Sequence, residues 1–93
     1  MQRSKVRSEL YMERTLSPIL DNVELLDTLC DYLTFGENLK LTAEHMHIHT
    51  NTIKYRLQKI SSILNCDLGD PNVRFRLRMV ITIYRYLYNE ENS

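Results

Sequence analysis

The stretch Asn38-Leu39-Lys40-Leu41-Thr42-Ala43-Glu44-His45-Met46-His47-Ile48-His49-Thr50-Asn51-Thr52-Ile53-Lys54-Tyr55-Arg56-Leu57-Gln58-Lys59-Ile60-Ser61-Ser62-Ile63-Leu64 decides the fold. Leu39, Ala43 and Met46 share one face of a two-turn helix, and Ile53, Leu57, Ile60 and Leu64 form one stripe of a longer helix over Thr50–Leu64. His47-Ile48-His49 interrupts the two as a three-residue turn. A helix-turn-helix needs a small residue in the middle of its first helix so that the second can cross closely, an apolar plug in the turn, and an apolar inner face on the second helix. Ala43, Ile48 and the set Ile53, Leu57 and Ile60 meet these three demands. An ordinary antiparallel helical pair would use Ala and Ile in the same way, so the spacing alone leaves both readings open.

The opposite face of the second helix separates them. Asn51, Tyr55 and Gln58 lie there, flanked by Thr50, Lys54, Arg56 and Lys59, and no acidic residue occurs from Thr50 to Cys66. A solvated helix face more often pairs Glu with Lys one turn apart. A helix entering a major groove meets phosphates and base-edge donors and acceptors, and so carries cationic and hydrogen-bonding side chains.

Working outward, Leu25, Leu26, Leu29 and Leu33 recur at helical spacing, which predicts a helix over Asn22–Phe35 with Asp21 or Asn22 as its cap. Gly36 should end it in the left-handed conformation. Upstream, residues 1–16 read as an arm or connecting helix, and Ser17-Pro18 as a break, because the residue before Pro avoids the helical region. The domain itself is expected over residues 17–93. Downstream, Asn65 is a second left-handed cap, and Asp70-Pro71 opens a last helix to about Tyr88. That helix has one face of Val73, Leu77, Val80, Ile81, Tyr84 and Leu87, and another of Phe75, Met79, Ile83 and Tyr86. A helix apolar on two sides must bury both, so one side asks for a partner.

Composition sets the outer bounds. Ninety-three residues make one domain, and two Gly and two Pro argue against a sandwich or barrel. Twelve basic residues balance twelve acidic ones, so there is no whole-molecule attraction to nucleic acid or membrane. The charges are segregated, however: Ser17–Glu37 holds five acidic residues and no Lys or Arg. Cys30 and Cys66 are too few for a disulfide-stapled scaffold. No stretch reaches the roughly 18 apolar residues of a membrane span, and no signal-peptide core follows the first residues. The expected location is cytoplasmic, with no membrane partner. The expected fold class is all-α, a small helical bundle containing a helix-turn-helix.

The run Ala43-Glu44-His45-Met46-His47-Ile48-His49-Thr50-Asn51-Thr52-Ile53-Lys54-Tyr55-Arg56-Leu57 resembles the C-terminal DNA-binding domain of PucR-type regulators, the purine-catabolism and sugar-diacid regulators with a Fis-like helix-turn-helix. Leu26-Asp27-Thr28-Leu29 and Tyr32-Leu33 upstream, and Leu64-Asn65-Cys66-Asp67-Leu68-Gly69-Asp70-Pro71 downstream, extend the resemblance over roughly residues 17–88. It implies a bacterial transcriptional regulator, and family members usually carry a larger sensory region ahead of this domain. The chain is accordingly expected to be either a fragment or a stand-alone variant. The family usually has Arg after the turn His; Thr50 stands here, which removes one DNA contact the resemblance would otherwise imply. Asn65 stands where Gly is common.

The expected DNA-binding residues are His49, Thr50, Asn51, Thr52, Lys54, Tyr55, Arg56, Gln58 and Lys59. His49 or Thr50 caps the helix; Thr50, Asn51, Lys54 and Tyr55 are best placed for base edges; Arg56 and Lys59 are assigned to phosphates. Thr52 has a plainer reading, as a local hydrogen bond in the first turn, and Tyr55 another, as packing on a neighbouring helix. Double-stranded DNA is the expected partner, bound as a homodimer through the Pro71–Tyr88 helix, with the Asn22–Phe35 helix a second candidate surface. The rival is a helical protein–protein module anchored by Tyr55, Tyr84, Tyr86 and Tyr88.

Other signals point to no chemistry. His45, His47 and His49 straddle a helix end and a turn, where their rings diverge, so neither a metal nor a cofactor is expected. Arg74, Arg76 and Arg78 fan around the last helix, as a solvated face first and as phosphate contacts second. No Gly-rich phosphate loop and no nucleophile with a neighbouring base occur, so no enzyme is expected.

Overall fold

The computed structural model describes residues 14–92, with side chains to Leu87. Among the described residues five helices follow one another: α1 over residues 14–20, α2 Val23–Thr34, α3 Leu39–Met46, α4 Thr50–Leu64 and α5 Pro71–Asn92. No strand occurs among the described residues. Residues 1–13 of the expected arm lie outside that range.

The expected break at Ser17-Pro18 is corrected, because residues 14–20 run helically through it. Leu16 and Ile19, one turn apart on α1, are fully buried in the main core. That apolar burial outweighs the pre-proline preference, which marks a boundary only on average. The helix does end two residues past Pro18, where Asn22 N–H bonds Ile19 C=O at 3.0 Å. Asn22 then caps α2, its side chain accepting from Leu25 N–H at 3.2 Å.

The apolar stripe of α2 sits in the middle of the core. Leu25, Leu26, Leu29 and Leu33 are buried together with Ile60 of α4 and Leu77, Val80 and Ile81 of α5. Each such side chain contributes about 1.5–3 kcal/mol relative to exposure. α2 packs against α3, α4 and α5, so it is the scaffold on which the helix-turn-helix is mounted. α2 closes on Gly36 at φ 63°, as expected, and Glu37 follows at the same φ. The Glu37 conformation costs a non-glycine residue about 1–2 kcal/mol. Ties offset it: Glu37 N–H bonds Tyr32 C=O at 2.8 Å, and its carboxylate meets Arg74 at 3.6 Å and Arg78 of α5. Arg74 also donates to Leu68 C=O at 3.0 Å. The solvated-arginine reading is thereby corrected for Arg74, which is half-buried and fastens α5 to the α2–α3 turn; Arg78 meets Glu37 from an exposed position, and Arg76 is exposed.

Candidate nucleic-acid interface

α3 begins at Asn38, whose side chain accepts from Leu41 N–H at 3.0 Å, and it ends at His47 in the left-handed conformation, φ 59° and ψ 40°. His47 N–H bonds Ala43 and Glu44 carbonyls, and Ile48 N–H returns to Ala43 C=O at 3.1 Å. This closure satisfies the last carbonyls of the helix and reverses the chain within three residues. Ala43 and Ile53 are buried where α3 and α4 pack; Ile48, the expected plug, is half-buried.

His49, not Thr50, is the cap of α4. Its backbone is extended and its Nδ1 accepts from Asn51 N–H at 3.0 Å. An accepting Nδ1 leaves the ring's proton on Nε2. The helix runs from Thr50 to Leu64, and Asn65 closes it at φ 52°.

Beyond that cap, Asn51, Lys54, Tyr55, Gln58 and Lys59 are exposed together with His49 along α4. Thr50 and Thr52 are half-buried in its first turn. Tyr55 is 62% exposed, so it does not pack on a neighbouring helix, and Lys59 Nζ stands 5.8 Å from its ring centroid. That contact joins a cation and an aromatic face one turn apart. Arg56 does not join this face. Its side chain is 18% exposed, with Nη1 donating to Thr28 Oγ1 at 3.2 Å and Nη2 3.4 Å from Glu24 Oε2, both on α2. Neighbouring sequence gave no sign of this, because the partners lie 28 and 32 residues away.

A second link that sequence reasoning missed runs from α2 to α3. His45 Nδ1 stands 2.9 Å from Asp31 Oδ2, and its ring meets that of Phe35 at a centroid separation of 5.1 Å. The three histidines thus go three ways: His45 to α2, His47 to the turn, His49 to the cap. Among the described residues no group of His, Cys, Asp or Glu could hold a metal ion. Burial, with smaller contributions from Asp27 and Asp31, pushes the Cys30 thiol up, and burial pushes up Cys66 as well. A thiol so raised is a poor nucleophile.

A bihelical unit whose second helix carries exposed amide, phenol and ammonium groups, and no carboxylate, defines a helix-turn-helix domain of the recognition type. Residues 25–83 match the PucR C-terminal helix-turn-helix domain, and the chain belongs to that family. It is 37% identical to the uncharacterized protein YsfB of Bacillus subtilis (strain 168), over 84% of this chain and 20% of that protein. It is 34% identical to the purine catabolism regulatory protein of the same organism, over 72% of this chain and 13% of that protein. The proline-responsive transcriptional activator PutR, also from B. subtilis, is 34% identical over 69% of this chain and 16% of its own length. The chain therefore spans a fifth or less of these relatives. No solved structure matches it significantly. Among the described residues no helix is long and apolar enough to cross a membrane.

Proposed function

We propose that this chain is the DNA-reading module of a bacterial transcriptional regulator, with α4 in the major groove of duplex DNA. The observation that carries this is the exposed, acid-free face of α4, on the second helix of a unit belonging to a family whose named relatives include transcriptional regulators. Asn51, Lys54, Tyr55 and Gln58 offer hydrogen bonds to base edges; Lys59 and the helix N-terminus capped by His49 hold phosphates. Thr50 and Thr52, set into the first turn, shape its surface.

One short recognition helix gives little affinity, so the module works as a homodimer that places two α4 helices on successive half-sites about 34 Å apart. The outer face of α5 supports this assignment. Phe75 and Tyr86 are more than half exposed and Met79 is 45% exposed, and Phe75, Arg78, Met79, Thr82 and Ile83 line a shallow apolar groove of about 290 Å³. The module sits in the cytoplasm and is coupled to a sensory region in a longer chain.

Fluorescence anisotropy of a labelled duplex across salt tests the reading. Affinity should fall steeply, by about 10³-fold or more between 50 and 200 mM salt if six or more phosphates are neutralised by the dimer. Binding that ignores salt, or no binding at low salt, would instead favour the protein–protein module.

A further inference from the structure

We infer that Arg56 is a positioning residue for α4 and not a phosphate contact, an inference that rests on the DNA-binding reading above. The geometry is a three-membered brace between one turn of α2 and the middle of α4. Thr28 is fully buried, and its Oγ1 donates to Glu24 C=O at 2.7 Å while accepting from Arg56 Nη1 at 3.2 Å. The other arm of the guanidinium reaches Glu24 Oε2 at 3.4 Å. Both partners therefore stand on consecutive turns of a single helix, and a planar fork engages both at once.

The two contacts differ in weight. Glu24 is 76% exposed, so its ion pair with Arg56 is screened and weak. The Thr28 contact is shielded, and a guanidinium turned inward with that acceptor removed would be left short of a partner. Arg56 also follows the buried Ile53 by three positions, and it precedes the buried Ile60 by four. It thus sits beside the inner stripe of α4, between the core and the exposed face of Asn51, Lys54, Tyr55 and Gln58. A side chain anchored there opposes rotation of α4 about its own axis, and such a rotation would turn that exposed face away from the groove. Apolar packing alone resists such rotation less sharply, because Ile and Leu side chains slide past one another without losing a directional bond.

The experiment uses the full chain with Thr28→Val, Arg56→Lys, Arg56→Gln and the Thr28→Val/Arg56→Gln pair. Binding to a mixed-sequence duplex and to a duplex enriched from a random pool is read between about 50 and 200 mM salt. The brace predicts that Arg56→Lys and Arg56→Gln weaken binding alike, roughly tenfold, with the parent's salt slope retained. It also predicts that Thr28→Val weakens binding without touching any charge, and that the pair is no worse than Arg56→Gln. A phosphate contact predicts otherwise. Arg56→Lys would then bind like the parent, Arg56→Gln would lose about one unit of slope, and Thr28→Val would be silent; any of these overturns the inference. Urea unfolding of the parent and the same four variants decides the brace without DNA. Non-additive effects of Thr28→Val and Arg56→Gln support it, and additive effects overturn it. If the parent binds no duplex, the DNA reading fails separately from the brace, which the unfolding cycle still decides.

Discussion

At the scale of single residues, two exposed positions on α4 carry different consequences. Asn51 presents an amide beside the helix N-terminus, the part of α4 proposed to meet base edges, whereas Lys59 presents a charge more than two turns later. Asn51→Ala is expected to relax preference at one base position, with a discrimination loss of about 1–3 kcal/mol and little change in salt slope. Lys59→Gln should weaken all duplexes alike and reduce the slope by about one. Competition binding against single-base variants of a selected duplex separates the two, and equal behaviour of the variants would remove the division of labour along α4. The buried Cys30 and the half-buried Cys66 and Tyr32 make a prediction of their own. The thiols of Cys30 and Cys66 and the phenol of Tyr32 are all pushed up, burial being the largest cause in each. Each group holds its proton longer folded than unfolded, so the unfolded chain ionises first as pH rises and stability falls. The thermal midpoint should therefore drop as pH climbs past about 8.5, the unfolded thiol range, and Cys30→Ala should lose part of that slope. A midpoint that rises there would contradict the burial of these groups.

At the scale of elements, the cap on α4 is the junction between fold and function. His49 Nδ1 satisfies Asn51 N–H and fixes where the first turn begins. His49→Ala should lower stability by about 0.5–2 kcal/mol in urea unfolding and loosen the first turn that carries Asn51. An unchanged stability would show that water replaces the imidazole without loss. The bounds of α4 were legible in the sequence because Asn65 and the turn histidines are local signals, read from residues next to one another. The left-handed Gly36 and Asn65 were legible for the same reason. Three things were not. The helical passage through Ser17-Pro18 depends on burial of Leu16 and Ile19 against residues far along the chain. The positive φ of Glu37 depends on arginines 37 and 41 positions away. The inward turn of Arg56 depends on α2. Periodicity places Arg56 beside the apolar stripe, and local rules assign such a cation to solvent or to a ligand; only the packed scaffold supplies Thr28 as an acceptor.

At the scale of the molecule, the balanced charge hides a division of labour. The acidic α2 region, Ser17–Glu37, lies in the scaffold, and the acid-free α4 lies on the surface proposed to meet DNA. One carboxylate of the scaffold, Glu24, is turned to Arg56, and another, Glu37, to Arg74 and Arg78, so part of the acidic block is neutralised internally. The outer face of α5 remains, with Phe75, Met79 and Tyr86 in solvent. Met79→Asp should convert the proposed dimer to a monomer in analytical ultracentrifugation and weaken binding to a two-half-site duplex far more than to a single half-site, because linkage of the two helices is lost. A Met79→Asp protein that sediments like the parent would place the dimer contact elsewhere.

The central claim is that α4 reads base sequence, and selection from a pool of random duplexes, sequenced after several rounds, tests it most directly. The account predicts enrichment of an inverted repeat whose half-sites lie about one helical turn, 10–10.5 base pairs, apart, and loss of that enrichment in Asn51→Ala. A pool that stays random at low salt would contradict it and leave the helix-turn-helix as a scaffold for a protein partner.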